Sequence, residues 1–425
     1  MISDKLVAVD LEIASTCNAA CPVCVRRTRG VLNNFTQQMR TLADVKQIFE
    51  GLSGQINSLT LCGNLGDPMT CAEIVPICEW FTEQNPNVFI SISTNGGIGT
   101  PAQYKALAKL GIQLIFGVDG NSEEILKLHR VNVSYKKVLA NMNAYINNYD
   151  IDDHNGFSHN LTWQYILFEQ NKTDLLPALL TAKQLGFRQF QIREPNGFAG
   201  NPDNAIPTYD FYTSEFTHWL TPVTDDFTQD IYHWWQIQDD DSYNKIFDIL
   251  SNINPAIDKN GPMWNGAKWH KPVADEIVYT SEYSGTEKFV VDIPHYMTSQ
   301  LDTYQSQTCY SLNYEDNSNL KKDALNVFIS HDNYVYPCCI VGGAVTSAKT
   351  KLGYNNNEHI RELLNNISSY GLESFSLANT NLKEILNTGV LHTTYYDDIR
   401  NGNASTFCKL SCGKCSDTKK AYNPF

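Results

Sequence analysis

Positive charge is scarce in this chain. Its 425 residues hold 32 lysines and arginines against 46 aspartates and glutamates, a formal net charge of −14. A phosphate backbone is bound through a basic surface, so nucleic acid is not expected as the main partner, a local basic patch aside. Long apolar runs are missing as well. No stretch of 18 apolar residues occurs, so no membrane-spanning helix is expected. The opening Met1-Ile2-Ser3-Asp4 leads straight into a strand signal and lacks the pattern of a secretory leader. A cytoplasmic protein is the expectation. Cysteine, by contrast, is plentiful, with 12 residues. In a long chain without a secretion signal, clustered cysteines read as metal ligands rather than disulfides. The length allows two or three domains.

Up to about residue 196, strand and helix signals alternate, which implies parallel βα units. The strand candidates are Leu6–Ile13, Asn57–Cys62, Val88–Ser93, Ile112–Val118, Leu161–Phe168 and Phe187–Arg193. Thr41 and Asp44 are spaced as a capping box ahead of the apolar stripe Leu42, Val45, Ile48, Phe49 and Leu52. Thr100-Pro101 marks a helix start and Gly111 its end; Gly186 stops the helical run that begins at Thr173. Six such units are too few to close an eight-stranded barrel. In sheets of this kind, ligands sit at the carboxyl ends of the strands.

The first strand runs into Cys17, Cys21 and Cys24, spaced C-x₃-C-x₂-C. Three thiolates leave a four-iron cluster with one iron unligated by protein, unlike the four-cysteine electron carriers. An open iron can bind a substrate directly. A zinc knuckle is the alternative. The triplet resembles the signature of the radical SAM superfamily. There the open iron of a 4Fe-4S cluster chelates the amino and carboxylate groups of S-adenosylmethionine. The resemblance implies an α/β fold, a partial (β/α)6 barrel core, followed by a C-terminal α+β domain for an auxiliary cluster.

Further motifs fall at the predicted strand ends. Gly63-Asn64-Leu65-Gly66-Asp67-Pro68 resembles the family's Gly-x-Gly-Glu-Pro, with Asp67 for the usual glutamate. Gly66 would let the backbone approach the cofactor, and Asp67 would bond its ammonium. Ser93-Thr94-Asn95-Gly96 resembles the family's third-strand end, so Thr94 and Asn95 are expected near the methionine or ribose. Phe116-Gly117-Val118-Asp119-Gly120 resembles Ser-x-Asp-Gly, with Gly117 for the serine. The resemblance assigns Asp119 to the cofactor site and Arg130 to the cofactor carboxylate. Trp163-Gln164-Tyr165-Ile166, followed by Asn171, resembles the branch with a SPASM or twitch tail, and Gln164 is the expected ribose or carboxylate ligand. Arg193 and Glu194 stand at the rim of the sixth strand and face substrate or form an ion pair. Arg26, Arg27 and Arg29 hold an anion or line a solvated loop. Cys62, Cys71 and Cys78 lack metal spacing and read as small core residues, the last two on one helix face.

Residues 197–304 form an aromatic-rich connector or insertion. They hold Trp219, Trp234, Trp235, Trp264 and Trp269, which line a cleft or make a small core. From 305 to 425 a second cysteine set appears. Val327 to Tyr336 reads as a hairpin turning at Asp332-Asn333. It is followed by Cys338 and Cys339, and the chain closes on Cys408, Cys412 and Cys415. This resembles a SPASM or twitch domain. Two full auxiliary clusters need about eight thiolates; Cys309, Cys338, Cys339, Cys408, Cys412 and Cys415 are six. One auxiliary 4Fe-4S cluster is therefore expected, on Cys309, Cys338, Cys412 and Cys415, with Cys339 and Cys408 as rivals and zinc as the alternative metal.

The implied activity is reductive cleavage of S-adenosylmethionine to a 5′-deoxyadenosyl radical. That radical would take a hydrogen atom from a peptide or protein, with electrons from an external reductant such as flavodoxin or ferredoxin. The alternatives are the same chemistry on an amino sugar or nucleoside, or a non-catalytic iron–sulfur or zinc protein.

Overall fold

The computed structural model describes residues 6–22, 24, 38–62, 65–149, 161–195, 206–209, 216–223, 228–252, 304–306, 325–338, 341–343, 345, 362, 365, 367, 369, 371–378, 380–388, 391 and 414–415. The chain divides into two compact units. The first comprises Met1–Thr16, Val25–Ser91 and Phe289–Phe425; the second comprises Cys17–Cys24 and Ile92–Lys288. In chain order the main elements begin with β1 (Val7–Leu11), α1 (Leu42–Ile48), β2 (Ile56–Leu61), α2 (Ile74–Gln84) and β3 (Phe89–Thr94). They continue with α3 (Pro101–Lys109), β4 (Gln113–Gly117), α4 (Glu123–His129), α5 (Tyr135–Ile146), β5 (Thr162–Ile166), α6 (Leu175–Leu185) and β6 (Gln189–Arg193). Then come β7 (Ile206–Tyr209), β8 (Phe216–Leu220), β9 (Trp234–Gln236), α7 (Asp240–Ser251), β10 (Tyr304–Ser306), β11 (Leu325–Ile329), β12 (Val335–Tyr336), α8 (Leu382–Asn387) and β13 (Lys414–Cys415). The fold is mixed α/β with parallel-rich sheets, the class expected of a radical SAM core, and β1 to β6 fall on the six strand candidates.

In the first unit, the Thr41–Asp44 capping box starts α1. The Asp44 amide donates to Thr41 Oγ1 (3.2 Å) and the Thr41 amide to Asp44 Oδ2 (2.8 Å). The apolar face of α2 buries Ile74, Ile77, Cys78 and Phe81, and Phe81 meets Phe49 edge to face at 5.0 Å. Cys71 precedes that helix instead of lying on it, although it is buried as expected; Cys62 is half-buried. Strand β1 pairs in parallel with β2, Val9 opposite Leu59. On its other edge it pairs in parallel with β11, Val9 opposite Val327. Strand β12 folds back antiparallel on β11, as the hairpin signal implied. Asn333 in its turn has φ +64°, a left-handed conformation that asparagine tolerates. The sequence placed this hairpin in the tail. That its first strand extends the sheet of β1 is a tertiary fact.

In the second unit the strand order is β3-β4-β5-β6-β9. Strands β4, β5 and β6 run parallel, and β9 closes the edge antiparallel to β6. Each parallel step needs a crossover, supplied by helices. One sheet face packs on them: Phe116 lies 5.8–6.3 Å from Tyr104, Tyr145 and Phe187, and Trp163 meets Phe187 at 5.4 Å. Because strand side chains alternate, the neighbours Gly117, Gln164 and Gln191 lie on the opposite face. Gly186 ends α6 at φ +88°, as the sequence indicated. No helix among the described residues is long and apolar enough to cross a membrane.

Candidate functional site

The cysteine loop is held in the second unit by backbone and amide contacts. The Ala20 amide donates to Val131 O (2.9 Å). Asn132, itself at φ +66°, donates its side-chain amide to Asn18 O (2.9 Å). Asn18 Nδ2 reaches Gly97 O (3.3 Å). Asn95 Nδ2 donates to both Asn18 Oδ1 (2.9 Å) and Cys17 Sγ (3.5 Å). The Ala19 amide also points at Cys17 Sγ (3.4 Å). Two N–H groups thus converge on one sulfur. Cys17, Cys21 and Cys24 form no disulfide; Cys21 is buried and the other two half-buried. Among the described residues, no three His, Cys, Asp or Glu side chains converge on a single metal ion. A four-iron cube spreads its thiolates more widely, one to each iron.

The end of β3 supports this loop. Asn95 does so directly, through Asn18 and Cys17. Thr94 is buried and turned inward: its Oγ1 accepts the Gly96 amide (3.1 Å) and lies 3.5 Å from the Tyr104 hydroxyl. Asn141 of α5 secures the same turn by donating to Gly96 O (2.8 Å) and Ile98 O (3.2 Å).

A buried ionic node follows β4. Asp119 Oδ2 accepts from His129 Nδ1 (2.5 Å) and from Arg130 Nε (2.6 Å). Asp119 Oδ1 accepts the Ile166 amide (2.7 Å). Asn171, also buried, donates to the backbone oxygens of Asp119 and Ile166, both at 3.0 Å. Burial works against the Asp119 charge, but the Arg130 guanidinium, the nearby imidazole and these hydrogen bonds pull its pKa down to about 2. Burial pulls His129 below its ordinary value, with Asp119 opposing. Burial likewise opposes the Arg130 charge, yet Asp119, then Cys21 and Cys17, raise its pKa. The guanidinium therefore lies within electrostatic reach of the cysteine loop. Gly117 makes room for it, since a Cβ there would stand 2.9 Å from Arg130 Nη2. The glycine that departs from the family's serine is thus matched by an arginine filling its space. The node was only partly legible: His129 precedes the expected arginine, but nothing local marks it as a partner of Asp119.

Gly66 and Asp67 lie in the first unit. A Cβ on Gly66 would fall 2.0 Å from Ala14 O and 2.9 Å from Ser15 Cα. The glycine thus permits a close approach to the segment leaving β1. Gly66→Ala is expected to destabilise the chain by about 1–3 kcal/mol, because backbone must shift; an unchanged thermal midpoint would contradict this contact. Asp67 is buried, and its Oδ1 caps the short turn after it by accepting the Met69 amide (3.0 Å). Its own amide donates to Thr16 O (2.8 Å). In this unit the sequence reading missed Glu12 and Arg40. The Glu12 carboxylate accepts the Leu65 amide (3.2 Å) and the His331 amide (3.0 Å). Arg40 donates to Glu12 O (3.0 Å), Asn333 Oδ1 (2.6 Å) and Ser330 O (2.5 Å). One available signal was a pair of acids, Asp10 and Glu12, alternating with apolar residues at the end of the first strand.

Gln164 Nε2 donates to Gln191 Oε1 (2.6 Å) across β5 and β6. Arg193 is half-buried and Glu194 exposed. Cys338 is half-buried just after β12. Cys415 lies on β13, opposite Tyr304 of β10. Cys309, Cys339, Cys408 and Cys412 lie outside the described residues, as do Arg26, Arg27, Arg29, Gly63, Asn64, Trp264 and Trp269.

No curated protein matches the chain. Among solved structures, it is similar to Streptococcus suis SuiB bound to S-adenosylmethionine, with 10% identity, 79% of this chain and 61% of that chain covered, and a TM-score of 0.43. It is also similar to native anSMEcpe with bound AdoMet, with 13% identity, coverage of 97% and 92%, and a TM-score of 0.45. A further match, BtrN in complex with AdoMet and 2-DOIA, has 24% identity over 26% of this chain and 45% of that one, with a TM-score of 0.23. The chain spans about three fifths of the length of SuiB. Residues 11–158, which hold Cys17, Cys21, Cys24, Asp119, His129 and Arg130, match the family model of the radical SAM superfamily.

Proposed function

We propose that the chain is a radical SAM enzyme acting on a peptide or protein. Cys17, Cys21 and Cys24 would hold a 4Fe-4S cluster, and S-adenosylmethionine would bind beside it. The observation that carries this reading is a fixed cation next to a three-cysteine loop: Asp119 grips Arg130 by Nε, leaving the Nη groups for an anionic ligand. An α-carboxylate suits them, since guanidinium binds carboxylates in a bidentate way. The donor set fits a cluster, because amide donors converge on Cys17 Sγ. When bound, the cluster supplies one electron that cleaves S-adenosylmethionine to methionine and a 5′-deoxyadenosyl radical, which takes a hydrogen atom from substrate.

The chain's own residues would orient these partners. Asn95 anchors the loop through Cys17 and Asn18. Asp119 acts through Arg130, because both of its oxygens are occupied; Thr94 shapes the turn that follows β3, and Gly66, in the first unit, is assigned to the backbone's approach to the cofactor. Asp67 is assigned to the cofactor ammonium and Gln164 to its ribose or carboxylate. Electrons would come from an external reductant such as flavodoxin or ferredoxin. Anaerobic incubation of the reconstituted chain with dithionite and S-adenosylmethionine tests this. 5′-Deoxyadenosine is the expected product, and its absence would refute the reading.

The tail, about 305–425, is assigned to one auxiliary 4Fe-4S cluster on Cys309, Cys338, Cys412 and Cys415, as in SPASM or twitch domains. Residues 197–304 would connect it to the core of 1–196. Pairing of β10 with β13 supports the ligand set, since Cys309 follows Ser306 closely in the chain and Cys415 sits opposite Tyr304. Iron analysis is expected to give about eight irons per chain, two cubanes. About twelve would mean a second auxiliary cluster, and about four with zinc would make the tail a structural zinc site.

A further inference from the structure

The tryptophan-rich stretch contributes directly to the face that carries Gln164. Strand β9 alternates like any strand, so adjacent tryptophans part ways. Trp235 enters the core and donates Nε1 to Ile231 O (3.1 Å). Trp234 stays half-buried on the other face, and its indole N–H makes no hydrogen bond among the described residues. The registers of β4, β5, β6 and β9 place Ile115, Thr162, Gln189 and Gln236 in one row. They place Gly117, Gln164, Gln191 and Trp234 in the next. No side chain in either row ionises. Thr162 Oγ1 donates to Gln189 Oε1 (3.0 Å). Gln164 Nε2 takes up the carbonyl of Gln191 (2.6 Å). Gln191 is then left with its amino group as donor, and Trp234 beside it offers an N–H and a flat ring.

We propose that Gln191 and Trp234 form a substrate-binding site for an uncharged peptide segment, with a backbone carbonyl accepting from Gln191 and the peptide plane lying on Trp234. Two uncharged donors match a carbonyl oxygen. A carboxylate brought to Gln191 and Trp234 would lose water with no cationic side chain of either row to offset the cost, since the Arg130 guanidinium stands at Gly117, two strands away. Arg193, two residues further along β6 on the same face and opposite Ile166, already has a partner. The free carbonyl of Gln164 remains for the cofactor side, next to Gly117 and Arg130. The inference rests on the peptide reading given above and names the part of the substrate that is recognised.

Saturation-transfer NMR on the reconstituted full chain, without reductant or S-adenosylmethionine, tests it. The probe is N-acetylalanine methylamide, which carries peptide carbonyls and no charge. N-acetylalanine supplies a carboxylate, and methyl glucoside supplies hydroxyls alone. Transfer to the diamide is expected, weakened about fivefold or more in Gln191→Leu and in Trp234→Ala, the loss of roughly one hydrogen bond. Gln191→Glu keeps the size and replaces the donor with an acceptor, so it gives the same loss should the leucine variant fail to fold. No transfer to the diamide, preference for the carboxylate or the glucoside, or unchanged transfer in the folded variants would overturn the site. The outcome is separable from the cleavage assay. A chain that binds the diamide but forms no 5′-deoxyadenosine keeps this site and loses the proposed chemistry; the reverse result keeps the chemistry and loses the site.

Discussion

Replacing Cys17, Cys21 and Cys24 together by alanine is expected to abolish 5′-deoxyadenosine formation and to lower the iron content by about four atoms per chain. The fold should survive. The loop is tied down by Asn18, Ala20 and Asn132 through backbone carbonyls and amides, none of which needs a thiol. Loss of activity with an unchanged circular dichroism spectrum would therefore separate a ligand role from a structural one. Iron content that stays level, or cleavage that persists, would remove the triplet from the centre of the mechanism.

The second large effect is expected at Asp119. Asp119→Ala leaves the half-buried Arg130 charge and the buried His129 imidazole without their shared acceptor. Breaking a buried pair in this way costs about 3–5 kcal/mol. For a unit of this size that corresponds to a fall of roughly 10 °C in thermal midpoint. S-adenosylmethionine affinity should fall with it, because Arg130 loses the contact that aims it. Arg130→Ala should weaken the same affinity by about ten- to a hundredfold, the loss of one charge-assisted bond of roughly 1.5–3 kcal/mol. Equilibrium dialysis with labelled cofactor measures both; unchanged binding in a folded Arg130→Ala chain would exclude Arg130 from the site.

The same node predicts a pH dependence. The Asp119 pKa is depressed from 3.8 to about 2 in the folded chain. Its contribution, about 2 kcal/mol, is present above pH 4 and is lost as pH falls from about 4 towards 2. His129 acts in a separate window. Its pKa is lowered in the folded chain, so stability begins to fall as pH drops below the ordinary histidine value of 6.5. Asp119→Asn should flatten the thermal midpoint between pH 4 and 2 relative to wild type. An identical slope in that range would show that Asp119 is not held in this ionised state.

Local chemistry in the sequence determined much of this protein. Six runs of strand-forming residues separated by helical stripes yield the parallel βα architecture. Thr41, Thr100, Gly186 and Asn333 set the ends of elements because each satisfies a cap or a left-handed φ within a few residues of itself. The cysteine triplet stands out for the same reason, since its spacing is short; that Asn95 donates to Cys17, 78 residues away in the chain, is a tertiary fact. Tertiary structure alone decided the rest. Nothing near Val327 states that β11 will lie parallel to β1, because a buried strand's apolar run fits any available edge. Asp119, His129 and Arg130 are close in sequence, yet only the packing of α4, which sets the His129 ring 4.8 Å from that of Phe168, makes them one ionic node. Gly66 is legible as a motif glycine, but that Ala14 lies against it is set by the fold alone. Trp234 and Trp235 are indistinguishable as letters, and the register of β9 on β6 sends one into the core and leaves the other beside Gln191. Contacts of this kind join residues far apart in the chain or rank equal neighbours by burial, and neither property leaves a local pattern.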